Sequence, residues 1–164
     1  MNDDTSPTAT IEPRAQRVPE HAGSPKILIA DDDRNIRLAL RACLECEGYE
    51  IEEARDGREV ISSVIHGSVD LVLLDLAMPH MGGLAALREL ATTYREIKPR
   101  IIVLTAWGSV TAAQQADQFG ANAFVEKPLD TDSLRSIVAR VLHEKRDFTA
   151  PSDDEERYPE RFLG

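Results

Sequence analysis

Between residues 26 and 146 the chain alternates short apolar runs with stretches in which apolar residues return every three or four positions. Ile27-Leu28-Ile29-Ala30 is a continuous run of strand length, and Ile36, Ala39, Leu40, Cys43 and Leu44 then recur at helical spacing up to Gly48. Tyr49 to Ala54 alternate in the manner of a second strand, and Val60, Ile61, Val64 and Ile65 mark a second helix. Leu71 to Leu74 predict the third strand, and Leu84, Leu87, Leu90 and Ala91 line the third helix. Arg100 to Leu104 predict strand four; Val110, Ala113, Ala116 and Phe119, stopped by Gly120, predict helix four. Ala123 to Glu126 give strand five, and Leu134, Ile137, Val138, Val141 and Leu142 helix five. Strands that are apolar throughout are covered on both faces, and strands alternating with helices build a parallel sheet between two helical layers. The expected fold class is therefore α/β, a doubly wound five-stranded parallel sheet.

The flanks lack this periodicity. Residues 1–25 carry Pro7, Pro13, Pro19 and Pro25 among Ser, Thr and charge, and predict a flexible N-terminal segment ahead of a folded domain at 26–146. Residues 147–164 hold Asp153-Asp154-Glu155-Glu156 and close on Tyr158, Phe162 and Leu163, which predicts a solvated acidic tail.

Composition narrows the function classes. At 164 residues and 42% hydrophobic content the chain supports one domain with a substantial core. A net charge of −10 argues against direct nucleic-acid binding. No apolar run approaches the roughly 20 residues of a membrane span. MNDDTSPTAT also lacks a signal-peptide layout, so a cytoplasmic location is expected. Cys43 and Cys46 spell C-x-x-C near the end of a helical pattern, with no second ligand pair for zinc and no helix N-terminus to activate a thiol. Cys43 is expected in the core, and Cys46 is read as incidental. His66, His80 and His143 are scattered and read as surface residues.

In parallel sheets of this kind, ligands bind beyond the carboxyl ends of the strands. Those ends here are Asp31-Asp32-Asp33, Asp75, Thr105-Ala106 and Lys127-Pro128. Clustered carboxylates need a compensating cation, and hard oxygen donors with room for water suit Mg²⁺. An added hydroxyl and ammonium supply what a phosphoryl group needs. Asp33 is better read as the N-cap of the first helix. Neither G-x-x-x-x-G-K-[ST] nor G-x-G-x-x-G is present, which removes the P-loop and dinucleotide readings. Phosphatases with an aspartyl nucleophile carry a second acid two residues on, where this chain has Ala77.

Five segments, ILIADDD, LVLLDLAMPHMGG, VLTAWGS, GANAF and EKP, occur in an order and spacing that resemble the response-regulator receiver domain of two-component signalling, over roughly Lys26 to Lys145. The resemblance implies a flavodoxin-like strand order 2-1-3-4-5. It implies that Asp75 accepts a phosphoryl group from a sensor histidine kinase or a histidine phosphotransfer protein. By the same resemblance Asp32 and Asp75 bind Mg²⁺ directly, Asp31 through water, and the Ala77 carbonyl completes the set. Thr105 is then the switch hydroxyl, small Ala106 leaves room for its contact with the phosphoryl oxygens, and Lys127 is the ion-pairing lysine before a cis proline. Phe124 takes the switch-aromatic position, expected to turn inward as Thr105 moves. Ala77 and Trp107, two residues after Asp75 and Thr105, fall where the family tunes how long the phosphoryl group lasts; neither can position a hydrolytic water, so slow self-dephosphorylation is expected.

The resemblance also assigns kinase docking to the first helix, with Arg34, Arg37 and Arg41, and output to the face of helix four, strand five and helix five, with Gln114, Gln115 and Gln118. The roughly twenty residues after helix five lack the pattern of a DNA-reading unit, so output is expected through an unidentified protein target, a phosphorylation-dependent homodimer being one form. The expected function is a phosphorylation-activated signalling regulator, an enzyme only toward its own phosphoryl group. The alternative is a receiver-fold binding protein controlled by dimerisation or by its tails.

Overall fold

The computed structural model describes residues 23–94, 96–105 and 110–144. Five strands, β1 (Lys26–Ala30), β2 (Glu50–Ala54), β3 (Leu71–Asp75), β4 (Arg100–Thr105) and β5 (Ala123–Glu126), alternate with α1 (Arg34–Glu45), α2 (Gly57–His66), α3 (Gly83–Thr93), α4 (Val110–Gln118) and α5 (Thr131–His143). The sheet is parallel throughout, in the order β2-β1-β3-β4-β5. This is the doubly wound, flavodoxin-like fold the sequence predicts. Among the described residues no helix is long and apolar enough to cross a membrane. The proline-rich lead-in and the acidic tail with Tyr158, Phe162 and Leu163 lie outside the described residues.

Alternation along the buried strands feeds two cores. Leu28, Val72, Leu74 and Val103 pack with Val60 and Val64 of α2, Leu87 and Leu90 of α3 and Ala113 and Ala116 of α4. Ile27, Ile29, Leu71, Leu73, Ile102 and Leu104 pack with Leu40 and Leu44 of α1 and Leu134, Val138 and Val141 of α5. Every residue of β3 is buried, so the central strand is a rigid base. Aspartates start three helices: Asp33, Asp56 and Asp130 each accept a bond from a first-turn N–H of α1, α2 and α5. Gly48 and Gly120, at φ 87° and 89°, supply the left-handed step that ends α1 and α4.

The turn after β3 depends on its glycine pair. Gly83 donates to the Leu76 carbonyl at 3.1 Å, folding the start of α3 against the strand end. A Cβ at Gly83 would collide with the backbone carbonyl of Asp75, so only glycine fits beside the strand's terminal acid.

Candidate functional site

The strand ends deliver the expected groups to one edge. Asp75 closes β3 and is paired in register with Leu104, which puts Thr105 one residue beyond it on the neighbouring strand. Thr105 is half-buried, and its carbonyl accepts the N–H of Lys127 at 2.8 Å, tying the ends of β4 and β5 together. The Lys127–Pro128 bond is cis. Asp31, Asp32 and Asp75 each offer a carboxylate oxygen, and the three atoms lie within 4.8 Å of one another.

Lys127 supplies the compensating charge. Its Nζ donates to Asp31 Oδ2 at 2.8 Å and stands 3.4 Å from Asp75 Oδ2. Burial works against the ammonium, but the bond to Asp31 and the charge of Asp75 outweigh it and hold Lys127 above the ordinary lysine range. Asp75 shifts in the same direction, for a different reason. Burial pushes its carboxyl above the usual carboxylate range, aided by neighbouring Asp31 and opposed by the Ala77 N–H and by Lys127. The Ala77 N–H donates to Asp75 Oδ1 at 3.2 Å, and Ala77 itself is exposed at the rim.

Asp31 is fully buried with both oxygens engaged, Oδ1 by the Asp33 N–H at 2.8 Å and Oδ2 by Lys127. Asp32 is exposed, and its carboxylate has no hydrogen bond among the described residues. The three acids thus differ: one locked, one free at the mouth, one half-engaged on the rigid strand.

One expectation needs correction. Arg37 is not part of an exposed arginine face: it is 5% exposed, and its Nη1 donates to the backbone carbonyls of Asp31 at 2.8 Å and Asp32 at 3.2 Å. Its Nε pairs with Glu53 Oε2 at 2.9 Å, while Arg41 takes the other Glu53 oxygen at 2.7 Å, so of the three arginines only Arg34 is exposed. The signal was present, because Arg37 lies on the same helical stripe as Leu40 and Leu44. Phe124 is already buried, packed in the core with Val103, Ala113 and Ala116, so an inward turn would change its exposure little.

Other expectations agree with the structure. Asp33 caps α1. Cys43 is buried, Cys46 exposed, and both are free thiols. His66, His80, His143, Gln114, Gln115 and Gln118 are exposed. Ala106 and Trp107 lie outside the described residues. A surface cavity lined by Arg58, Ile61, His80, Met81 and Glu89 is lined by none of the predicted site residues.

Residues 27–139 match the response regulator receiver domain family, and the chain belongs to it. Its members include phosphorylation-activated regulators of phosphorelay signalling. The chain is 35% identical over 117 residues to sporulation initiation phosphotransferase F of Bacillus subtilis, a match covering 71% of this chain and 93% of that protein. It is 37% identical over 117 residues to regulatory protein AtoC of Escherichia coli, covering 71% of this chain but only 25% of AtoC. The solved CheY-like receiver domain protein of Methanospirillum hungatei superposes with a TM-score of 0.68 at 28% identity, over 73% of this chain and 94% of that one.

Proposed function

We propose that this protein receives a phosphoryl group on Asp75 and signals through contacts with other proteins. The observation that carries the reading is the constellation at the strand ends: Asp75 on a fully buried strand, three carboxylate oxygens within 4.8 Å, and Lys127 bridging Asp31 and Asp75. The donor is a phosphohistidine of a sensor kinase or of a phosphotransfer protein. An Asp75 carboxylate oxygen attacks phosphorus, the new O–P bond forms as the N–P bond breaks, and the imidazole nitrogen keeps that electron pair.

The donor set fits Mg²⁺, being all oxygen, anionic and partly open to water at Asp32. Asp32, Asp75 and the Ala77 carbonyl would hold the ion, with Asp31 acting through water. When bound it supplies charge neutralisation for the acids and the phosphoryl oxygens. Lys127 then orients a phosphoryl oxygen while remaining paired with Asp31, and Thr105, on the adjoining strand end, donates its hydroxyl to another.

Intact-mass measurement after incubation with Mg²⁺ and a small acyl-phosphate donor tests the reading. One added phosphoryl group, absent in Asp75→Ala, is the expected result; no addition from either the small donor or a histidine kinase would overturn it. Phosphorylated wild type is further expected to decay more slowly than the Trp107→Glu, Ala77→Asn double variant, and equal or faster decay would remove the role given to those two positions.

A further inference from the structure

Asp32 poses a problem of aim. Its carboxylate is exposed and has no hydrogen bond among the described residues, yet it must point at the same small volume as Asp75. With no side-chain partner, its direction depends on its backbone. The Asp32 Cα sits between two peptide planes, one bearing the Asp31 carbonyl and the other the Asp32 carbonyl. Both carbonyls accept bonds from one atom, Arg37 Nη1, at 2.8 and 3.2 Å. Tying both planes to one point restrains φ and ψ of Asp32, and with them the direction of its Cα–Cβ bond.

The guanidinium is itself held. It is 5% exposed, it rises from the first turn of α1, and its Nε is anchored by Glu53 of β2 at 2.9 Å. On the other side of the loop, the Asp31 N–H donates to the Ala54 carbonyl at 3.2 Å and Asp31 Oδ1 accepts the Asp33 N–H at 2.8 Å. Three of the five guanidinium N–H donors are thus committed, two to the carbonyls of this loop and one to Glu53, in a buried setting where each bond is costly to give up.

We propose that Arg37 is a positioning residue of the acid site: by clamping the Asp31 and Asp32 carbonyls it aims the unsupported Asp32 carboxylate for divalent cation binding. The inference rests on the phosphoryl-acceptor reading and adds a residue to it. Arg37 touches neither the cation nor the phosphoryl group.

The test is Mg²⁺ affinity by calorimetric titration of the full chain, for wild type, Arg37→Lys, Arg37→Met and Val64→Ala. Lysine keeps the charge but cannot bond two carbonyls and Glu53 in one plane. Val64→Ala cuts the buried α2 core and serves as a stability control away from the acid loop. Both Arg37 variants are expected to weaken Mg²⁺ binding about tenfold or more. Val64→Ala should stay within about twofold of wild type, although it also lowers the unfolding midpoint. Should Arg37→Met fail to fold, Arg37→Lys carries the comparison. Arg37 variants that bind Mg²⁺ like wild type, or a Val64→Ala that binds as weakly as they do, would overturn the positioning role and leave the phosphoryl-acceptor reading standing. A wild type that binds no Mg²⁺ would overturn both.

Discussion

Lys127 is the residue on which the acid cluster depends when no cation is bound. Its Nζ is the partner of Asp31 Oδ2, on a side chain only 1% exposed. Removing one member of a buried pair leaves the other charge uncompensated, so Lys127→Met is expected to cost about 3 kcal/mol in metal-free buffer. Saturating Mg²⁺ should restore part of that, because a second cation takes over the compensation. Urea unfolding with and without Mg²⁺ checks it, and an equal loss in both would show that Lys127 and the ion do not share a task. Gly83 is the matching steric case. Gly83→Ala should destabilise by about 2–4 kcal/mol and reduce phosphoryl acceptance, since its Cβ presses on the carbonyl of Asp75. Gly82→Ala should be milder, its nearest contact being the Leu76 carbonyl at 3.1 Å. Asp75, Thr105 and Lys127 were legible in the sequence because a polar residue directly after an apolar strand has only the sheet edge to occupy. The burial of Arg37 was not, because the resemblance sets it with Arg34 and Arg41 on a docking face, whereas its place on the stripe of Leu40 and Leu44 turns it toward the sheet.

Elements were legible where apolar pattern decides them and less so where side-chain bonds do. β5 was read to the residue, and β3 and β4 each run one residue past their apolar runs, since Asp75 and Thr105 still belong to the ladder. The start of α2 was missed as a cap: Asp56 accepts the N–H groups of Arg58 and Glu59, and Asp56→Ala is expected to cost about 1 kcal/mol by thermal unfolding. Docking of α1 on β2 also runs through charge. The bond from Arg37, reinforced by Arg41 and opposed by burial, holds the Glu53 carboxyl below its ordinary range. A group with a lowered folded pKa binds fewer protons in the native state. Its stabilisation is therefore complete above the unfolded glutamate value and is lost as pH falls through the folded one. The stability gap between wild type and Glu53→Gln should be about 1–2 kcal/mol at neutral pH and close once the medium is more acidic than Glu53 itself. Denaturant titrations across the acid range check this. A gap that persists after Glu53 is protonated would assign its contribution to packing rather than charge.

At the scale of the whole molecule, the site works against the fold that holds it. The chain carries a net charge of −10, and three of its acids converge within 4.8 Å on the edge of the sheet. Asp32 in particular contributes repulsion without forming a bond among the described residues. Metal-free Asp32→Asn is therefore expected to be at least as stable as metal-free wild type, since it removes one like charge and breaks no partner. Mg²⁺ should reverse the order. A ligand at ten times its Kd adds about 1.4 kcal/mol to a native state that alone binds it, about 3–6 °C in Tm for a domain of this size. Wild type should gain that shift and Asp32→Asn should not. General screening of the negative surface would raise both proteins equally, so sodium chloride at matched ionic strength separates the two causes. If wild type and Asp32→Asn respond alike to Mg²⁺, the cation acts on the surface as a whole. If only wild type responds, the instability stored between these acids is what the ion relieves, and the cost of carrying Asp32 is explained by the cation it helps to bind.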